Sequence, residues 1–352
     1  MIENINLSDL ENNQDLKKNF FTSNLNNLNE RCTYFSGNFF LDPLNYYPIT
    51  EEFKSFNQLF TRIDKNSVAH YHSHAFFNNL KNKLDSLKVF NDSCVIGSSP
   101  GNNYFSNLIH FLPRVFFENE NQVKILVHRN LPTKFRSFMK YLYGLKNIKL
   151  TFAYLDDEFY KFKKSKIPQF LSTHSSINLL KSIRNIVPNN KKGYEKIYVR
   201  REDANYRVIL NESDLIDKLK KNGFYVINTS QYEILDQISF FTNAKIVLSP
   251  YGSGLANIVF CKPGTKIYEI GPNSSHVYDQ TLSKRYENLC KICNLDYHKF
   301  ICDSVDVKNH NQISKKYIHE SMLKDSNFFK NMILKLSDVD VILKKIQQPT
   351  DE

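Results

Sequence analysis

The chain has 352 residues, 41% hydrophobic and 24% charged, with a formal net charge of +11 at pH 7. That length exceeds what one compact core usually serves, so two domains are expected, and the composition excludes a disordered or fibrous chain. No uninterrupted apolar stretch approaches the roughly 18 residues needed to cross a bilayer, and residues 1–14 are acidic and Asn-rich, without the pattern of an export signal.

Residues 1–90 are Asn-rich and irregular, and are expected to form an N-terminal extension packing on the first domain. An alternation then begins. Residues 94–97 read as a strand, 104–117 as a helix, 123–127 as a strand, 133–143 as a helix and 148–153 as a strand, with a connecting helix at 175–186 ending before Pro188. A second alternation opens with a strand at 196–199. Its helix at 213–222 takes Ser213 as N-cap and Gly223 as its stop. Strands at 224–227, 245–248, 266–270 and 297–301 alternate with helices at 232–242, 255–260 and 279–293. Such alternation implies right-handed crossovers and parallel sheets. The expected fold is α/β, with two doubly wound Rossmann-like domains, 91–190 and 191–305, facing across a cleft. Residues 306–352 form a C-terminal helical segment, its helix near 322–348 packing across the domain junction.

In a parallel α/β sheet, ligands bind outside the carboxyl ends of the strands. Those ends in the second domain hold Arg200-Arg201 with Arg207 nearby, then Ser249-Pro250-Tyr251-Gly252-Ser253-Gly254-Leu255-Ala256-Asn257, then Glu269. A strand, a glycine turn and a helix start place backbone N–H groups and a helix dipole around one concavity, which suits a phosphate. Arginines neutralise a diphosphate, and a carboxylate accepts from ribose hydroxyls. Read singly, each feature is equally a solvated surface, a salt bridge or a plain turn. Together they describe a nucleotide site.

The segment 196–270 resembles the core of glycosyltransferase family 61 (the DUF563 family). The matching pieces are Ile197-Tyr198-Val199-Arg200-Arg201, Arg207 to Glu212, Gly223-Phe224, Asp236-Gln237-Ile238, Ala244 to Val247, the glycine loop, Phe260 to Thr265 and Ile267-Tyr268-Glu269-Ile270. Upstream, Asn103 to Leu108 and Leu112-Pro113-Arg114 resemble the family's N-terminal signature. Two departures stand out: Tyr251 occupies a position where the family usually carries His, and Ser106 one where it often does.

The resemblance implies a GT-B-like fold and inverting sugar transfer from a nucleotide-sugar donor, in capsular or surface polysaccharide assembly. It places donor binding on Arg200, Arg201, Arg207, Ser249, Tyr251, Gly252, Ser253, Gly254, Leu255, Asn257 and Glu269. Inversion needs a base for the acceptor hydroxyl and fixed donors for the leaving diphosphate. His110 is the first candidate base, on a helix face shared with Ser106 and Arg114, with Asn103 as a further acceptor-side residue. Asp156 and Asp157 are the next candidates. The partners implied are the nucleotide sugar and an oligosaccharide or lipid-linked glycan, with peripheral contact at an anionic membrane. A non-catalytic nucleotide- or glycan-binding relative is the alternative.

The widely spread lysines and the lack of a recognition module argue against nucleic acid as a partner. Six cysteines without an export signal are expected as reduced thiols in a cytoplasmic protein. No metal or obligatory cofactor is expected. Asp156-Asp157-Glu158 imitates a metal-binding acidic triplet but lies in the wrong domain for the donor. Cys290, Cys293, His298 and Cys302 miss the spacing and glycine of a zinc knuckle. His70, His72 and His74 would share one face of an extended strand, and such residues are more often simply exposed.

Overall fold

Short apolar runs between amphipathic segments produce two sheets, each within its own compact unit: residues 1–179 and 180–352. The computed structural model describes residues 2–4, 14–43, 46–56, 73–188, 193–202, 204–273, 283–306 and 327–347.

The sheet of the first unit contains β1 (Glu3–Asn4), β2 (Phe20–Leu25), β3 (Glu30–Leu41), β4 (Pro48–Thr50), β5 (Lys54–Ser55), β6 (Lys88–Phe90), β7 (Val95–Ile96), β8 (Gln122–His128), β9 (Lys149–Leu155) and β10 (Tyr160–Pro168). Its order is β1-β5-β4-β3-β10-β7-β8-β9, with β2 also on β3 and β6 on β10. The pairs β10–β7, β7–β8 and β8–β9 are parallel. The pairs β10–β3, β2–β3 and β3–β4 are antiparallel. This corrects two expectations. The sheet is mixed rather than doubly wound throughout, and residues before 90 are part of it rather than an extension packed on it. Phe35, Phe39 and Leu41 of β3 enter the same core as Ile96, Leu126 and Phe162, so burial of aromatic surface holds the antiparallel half to the parallel half.

Helix α1 (His74–Lys83) precedes β6, α2 (Thr133–Leu145) joins β8 to β9, and α3 (Thr173–Ile186) follows β10. The helix expected at 104–117 is not a regular α-helix. After one α-type step, Ser106–Phe111 is a π-helix and Leu112–Phe117 a 3-10 helix. The change falls at Pro113, which has no N–H to give and whose ring crowds the preceding turn.

The second unit holds β11 (Lys196–Val199), β12 (Tyr225–Ile227), β13 (Ile246–Pro250), β14 (Lys266–Pro272), β15 (Asp296–Val305) and β16 (Asn331–Ile333), ordered β12-β11-β13-β14-β15-β16. All neighbours are parallel except β15–β16. Helices α4 (Glu212–Lys221), α5 (Ile234–Asn243) and α6 (Arg285–Cys293) lie on the crossovers, with a 3-10 helix, Ser253–Phe260, between β13 and β14. Both sheets carry parallel strands in an α/β chain, which is the Rossmann-like class expected.

Three local corrections follow. Asn211, not Ser213, is the N-cap of α4, although Gly223 does end the turn, in the left-handed region at φ +79°. Within the described residues of 322–348, Asn327–Phe329 is a 3-10 turn and Asn331–Ile333 is strand β16, leaving α7 (Leu336–Gln347) as the helix. That helix packs inside the second unit, where Val339, Ile342 and Leu343 share a core with Leu215 and Leu219 of α4. No helix among the described residues is long and apolar enough to cross a membrane.

Candidate active site

Counted in chain order, the parallel strands of the second unit run 2-1-3-4-5, so the winding reverses between β11 and β13. Crossovers leave those two strands in opposite directions, which opens a crevice at their carboxyl ends. Arg200-Arg201 follows one strand and Tyr251-Gly252 the other. Gly252 is extended (φ −176°), a conformation open to any residue. Space is what favours glycine here: a Cβ would overlap the Arg201 guanidinium and lie 2.9 Å from its Cδ, so any side chain at 252 obliges Arg201 to shift. Arg201 Nη2 donates to the Tyr206 carbonyl at 3.2 Å, which fixes the guanidinium beside the loop. At Gly254 a Cβ would meet Thr229 Oγ1 at 3.1 Å.

The first bond of the 3-10 helix runs from the Leu255 amide to the Gly252 carbonyl at 3.0 Å. The amides of Gly252, Ser253 and Gly254 precede that bond and remain the ones suited to an anion, whereas the Leu255 amide is spent on the turn. Ser249 and Asn257 also serve the loop from within. Ser249 Oγ is 3.1 Å from the Val199 carbonyl and 2.9 Å from that of Pro250. Asn257 Nδ2 donates to Gln237 Oε1 at 2.9 Å and to the Gly254 carbonyl at 3.1 Å, with Gln237 held in turn by the carbonyls of Thr229 and Tyr232.

The adjacent arginines divide the work, since neighbouring residues leaving a strand point apart. Arg200 Nε and Nη2 donate to Glu212 Oε2 at 3.2 and 3.1 Å, and Nη1 lies 3.0 Å from Glu202. Tyr198 donates to the other Glu212 oxygen at 2.8 Å. Arg200 is therefore committed to a carboxylate network, and Arg201 is the arginine at the crevice. Arg207, left-handed at φ +58°, lays its guanidinium 4.8 Å from the Tyr251 ring centre and 4.7 Å from that of Tyr206. Tyr251 is buried against Tyr286 and Phe328, with centroids at 5.1 and 4.6 Å. Tyr286 Oη donates to the Gly252 carbonyl at 2.6 Å, tying the loop to α6.

Glu269 is fully buried and level with Ser249 on β13 and Lys299 on β15. Tyr297 donates to its Oε2 at 3.1 Å, and Lys299 Nζ lies 3.7 Å from Oε1. Burial pushes its carboxyl up to about 7, outweighing the opposing pull of Lys299, Tyr297 and Arg207. Its oxygens face these partners inside the sheet.

In the first unit, the π-helix joins the ends of β7 and β10. Asn107 Oδ1 accepts from the amide and hydroxyl of Ser99, just after β7, at 2.8 and 3.0 Å. His110 is 9% exposed and packs against Phe105 and against Phe170, just after β10, at 5.5 and 5.8 Å. π-Helical turns recur at functional sites. Ser106, His110 and Arg114 do not share one α-helical face, because the chain passes from π to 3-10 pitch between them. Asn103 Oδ1 caps the segment, accepting from the Ser106 amide at 2.9 Å. Arg114 is enclosed, stacked 4.8 Å from Phe111 and 4.4 Å from Phe170, with Nη2 donating to the Pro168 carbonyl. Burial pulls its guanidinium down to about 10.

Asp156 is clamped by Arg129, whose Nε and Nη2 donate at 2.7 and 3.1 Å, and this pairing holds its carboxyl below the usual range. Asp157 instead meets Nε2 of buried His128 at 3.1 Å, while His128 Nδ1 accepts from the Asn130 amide. The two carboxylates thus have separate partners. Cys302 donates to the Gly271 carbonyl at 3.4 Å, and His298 meets Asp296. All six cysteines are free thiols. Among the described residues, no group of three or more His, Cys, Asp or Glu is placed to hold a metal. His70 and His72 lie outside the described residues, and His74 begins α1.

The family model of Glycosyltransferase 61 matches residues 37–268. The chain belongs to the Glycosyltransferase 61 family. No curated protein matches the chain. The Glycosyltransferase 61 match runs from β3 to Tyr268 in β14, and so takes in His110, Arg201, Arg207 and the glycine loop.

Glu269 and the residues that hold it lie just beyond that match. Tyr286, Tyr297 and Lys299 were not among the expected site residues of this glycosyltransferase. The signal available for Tyr297 and Lys299 was a single acid inside the apolar run Ile267-Tyr268-Glu269-Ile270, because a buried carboxylate requires donors from neighbouring strands. Thr229, which abuts Gly254, carries no comparable signal.

Proposed function

We propose that the protein is an inverting glycosyltransferase of GT-B-like arrangement. It moves a sugar from a nucleotide-sugar donor to a hydroxyl of a glycan, free or lipid-linked, in surface or capsular polysaccharide assembly on the cytoplasmic side. The observation that carries this reading is the close packing of Arg201 on Gly252 at the β11–β13 crevice of a family member. A cation and a row of turn amides there suit a diphosphate.

In the proposed step, the acceptor hydroxyl gives its proton to His110 and its oxygen bonds to the anomeric carbon. The bond from that carbon to the diphosphate breaks, and its electron pair leaves with the diphosphate. Arg201, Arg207 and the amides of Gly252 to Gly254 neutralise the leaving charge, so the reading requires no metal. Among the candidate bases, His110 is supported by its place at the strand ends, whereas Asp156 is disfavoured by its arginine clamp and Asp157 is engaged with His128.

A thermal-shift screen against a panel of nucleotide sugars, followed by donor consumption with purified protein, tests the reading. A donor that binds the folded state raises the melting temperature. No shift with any nucleotide sugar or free nucleoside diphosphate would sink it. A shift without donor consumption at any pH favours the non-catalytic relative, a reading that Tyr251 motivates, since it is a packed aromatic where relatives usually carry His.

A further inference from the structure

Between Asn121 and Leu155 the chain carries seven Lys or Arg and no Asp or Glu. This stretch is β8, α2 and β9, and β9 is the last strand of its sheet. The fold therefore gathers an acid-free run onto one edge of the first unit. Among the described residues, Asp92 pairs with Lys124 and Asp156 with Arg129. Among the described residues, Arg136, Lys140, Lys146 and Lys149 have no ion-pair partner.

Several of these cations lie over aromatic rings. Arg129 and Arg136 stand 5.9 and 5.8 Å from the Tyr154 ring centre, Lys134 5.9 Å from Tyr104, and Lys140 5.9 Å from Phe152. Two apolar side chains stand out beside them: Leu145, 50% exposed at the end of α2, and Tyr154, 41% exposed on β9.

We infer that this edge is the docking surface for a membrane rich in anionic phospholipid. Charge complementarity calls for an anionic partner. The rings of Tyr154, Tyr104 and Phe152 are already approached by the protein's own cations, which disfavours the stacking that a single-stranded nucleic acid uses. An exposed leucine and tyrosine among lysines match the composition of the headgroup boundary, where each suitably placed cation strengthens attachment several-fold. The inference stands apart from the transferase reading, since attachment needs neither donor nor acceptor.

The test is sedimentation of the full-length protein with vesicles of phosphatidylcholine alone or mixed with phosphatidylglycerol, with no sugar nucleotide present. Partition onto the anionic vesicles should exceed that onto neutral ones by roughly tenfold or more at low salt, and collapse near 0.5 M salt, about the screening limit for surface charges. Lys140→Glu with Lys149→Glu, both exposed positions, should lower anionic-vesicle binding by about tenfold or more. Lys220→Glu with Lys221→Glu, the same charge change on α4 of the second unit, should change it by less than roughly twofold. Equal binding to both vesicle types overturns the inference. So does equal loss in the two double variants, which would reduce the effect to net charge, or salt-sensitive binding to single-stranded RNA by protein that ignores the vesicles. The wild-type lipid and salt comparison decides the matter even if a variant folds poorly.

Discussion

The two units solve the same topological problem with different chemistry. In each, residues converge at the carboxyl ends of parallel strands: β7 and β10 in the first, β11 and β13 in the second. The first presents His110 among phenylalanines, an amide–hydroxyl pair in Asn107 and Ser99, and a guanidinium sealed into the core. The second presents Arg201 and Arg207 beside a turn of backbone amides. Apolar walls around one titratable ring suit proton transfer at a neutral hydroxyl, whereas fixed cations and amides suit an anion. The difference teaches that the shared α/β class says where to look, and the side chains at the strand ends say what binds.

The largest expected effect tests the anionic side. Arg201→Ala should lower kcat/KM by about 100-fold while leaving the melting temperature nearly unchanged. Arg200→Ala should do the reverse, destabilising the fold by about 1–3 kcal/mol through the stranded Glu212 carboxylate and sparing the folded enzyme's rate. Matching losses of rate in the two variants would erase the distinction between the arginines.

On the proton-transfer side, His110→Ala should slow turnover at neutral pH by at least about tenfold. Asp156→Asn should stay within about twofold, because a carboxylate clamped by arginine is a poor base. Kinetics with the opposite ranking would move the base to the β9 end.

A smaller effect concerns Glu269. Its folded-state value near 7 stands above the unfolded value of 4.5, so the native state binds a proton that the unfolded state has released. The stabilising contribution is complete below about pH 4.5 and is lost as pH rises through 7. The stability of Glu269→Gln relative to wild type should therefore improve by roughly 2–3 kcal/mol between pH 5 and pH 8. Denaturant unfolding at both values checks this, and a difference independent of pH would show that burial does not govern the carboxyl. Smallest of all, Asn257→Ala should cost about 1–2 kcal/mol by leaving Gln237 Oε1 without its donor. A native melting temperature for that variant would remove Asn257 from the loop's scaffold.

The second sheet was legible because its strands are short buried runs set off by turn residues: residues 196–199 were read to the residue. The first sheet was legible only in its parallel half. β3 mixes buried and exposed side chains without alternation over twelve residues, and β10 carries a bulge with Lys164 in the left-handed region, so neither shows the two-residue period of a strand. The candidate site was readable as a set of strand-end residues, but not which of them turn inward to the protein's own scaffold. Nothing local distinguishes Arg200 from Arg201, since that difference depends on Glu212 across a crossover and Gly252 about fifty residues on.

The bare Cα of Gly252 under the Arg201 guanidinium makes those two positions a single unit of inheritance. A lineage cannot add even a methyl group at 252 while keeping arginine at 201 in this pose. If Arg201 serves an anion as proposed, a side chain at 252 displaces its guanidinium and weakens that role unless the two positions change together. Among relatives, a residue other than glycine at the first position should therefore travel with a shorter side chain at the second. Pairing Gly252→Ala with Arg201→Lys in the laboratory should recover more activity than the two single losses would allow if they simply combined.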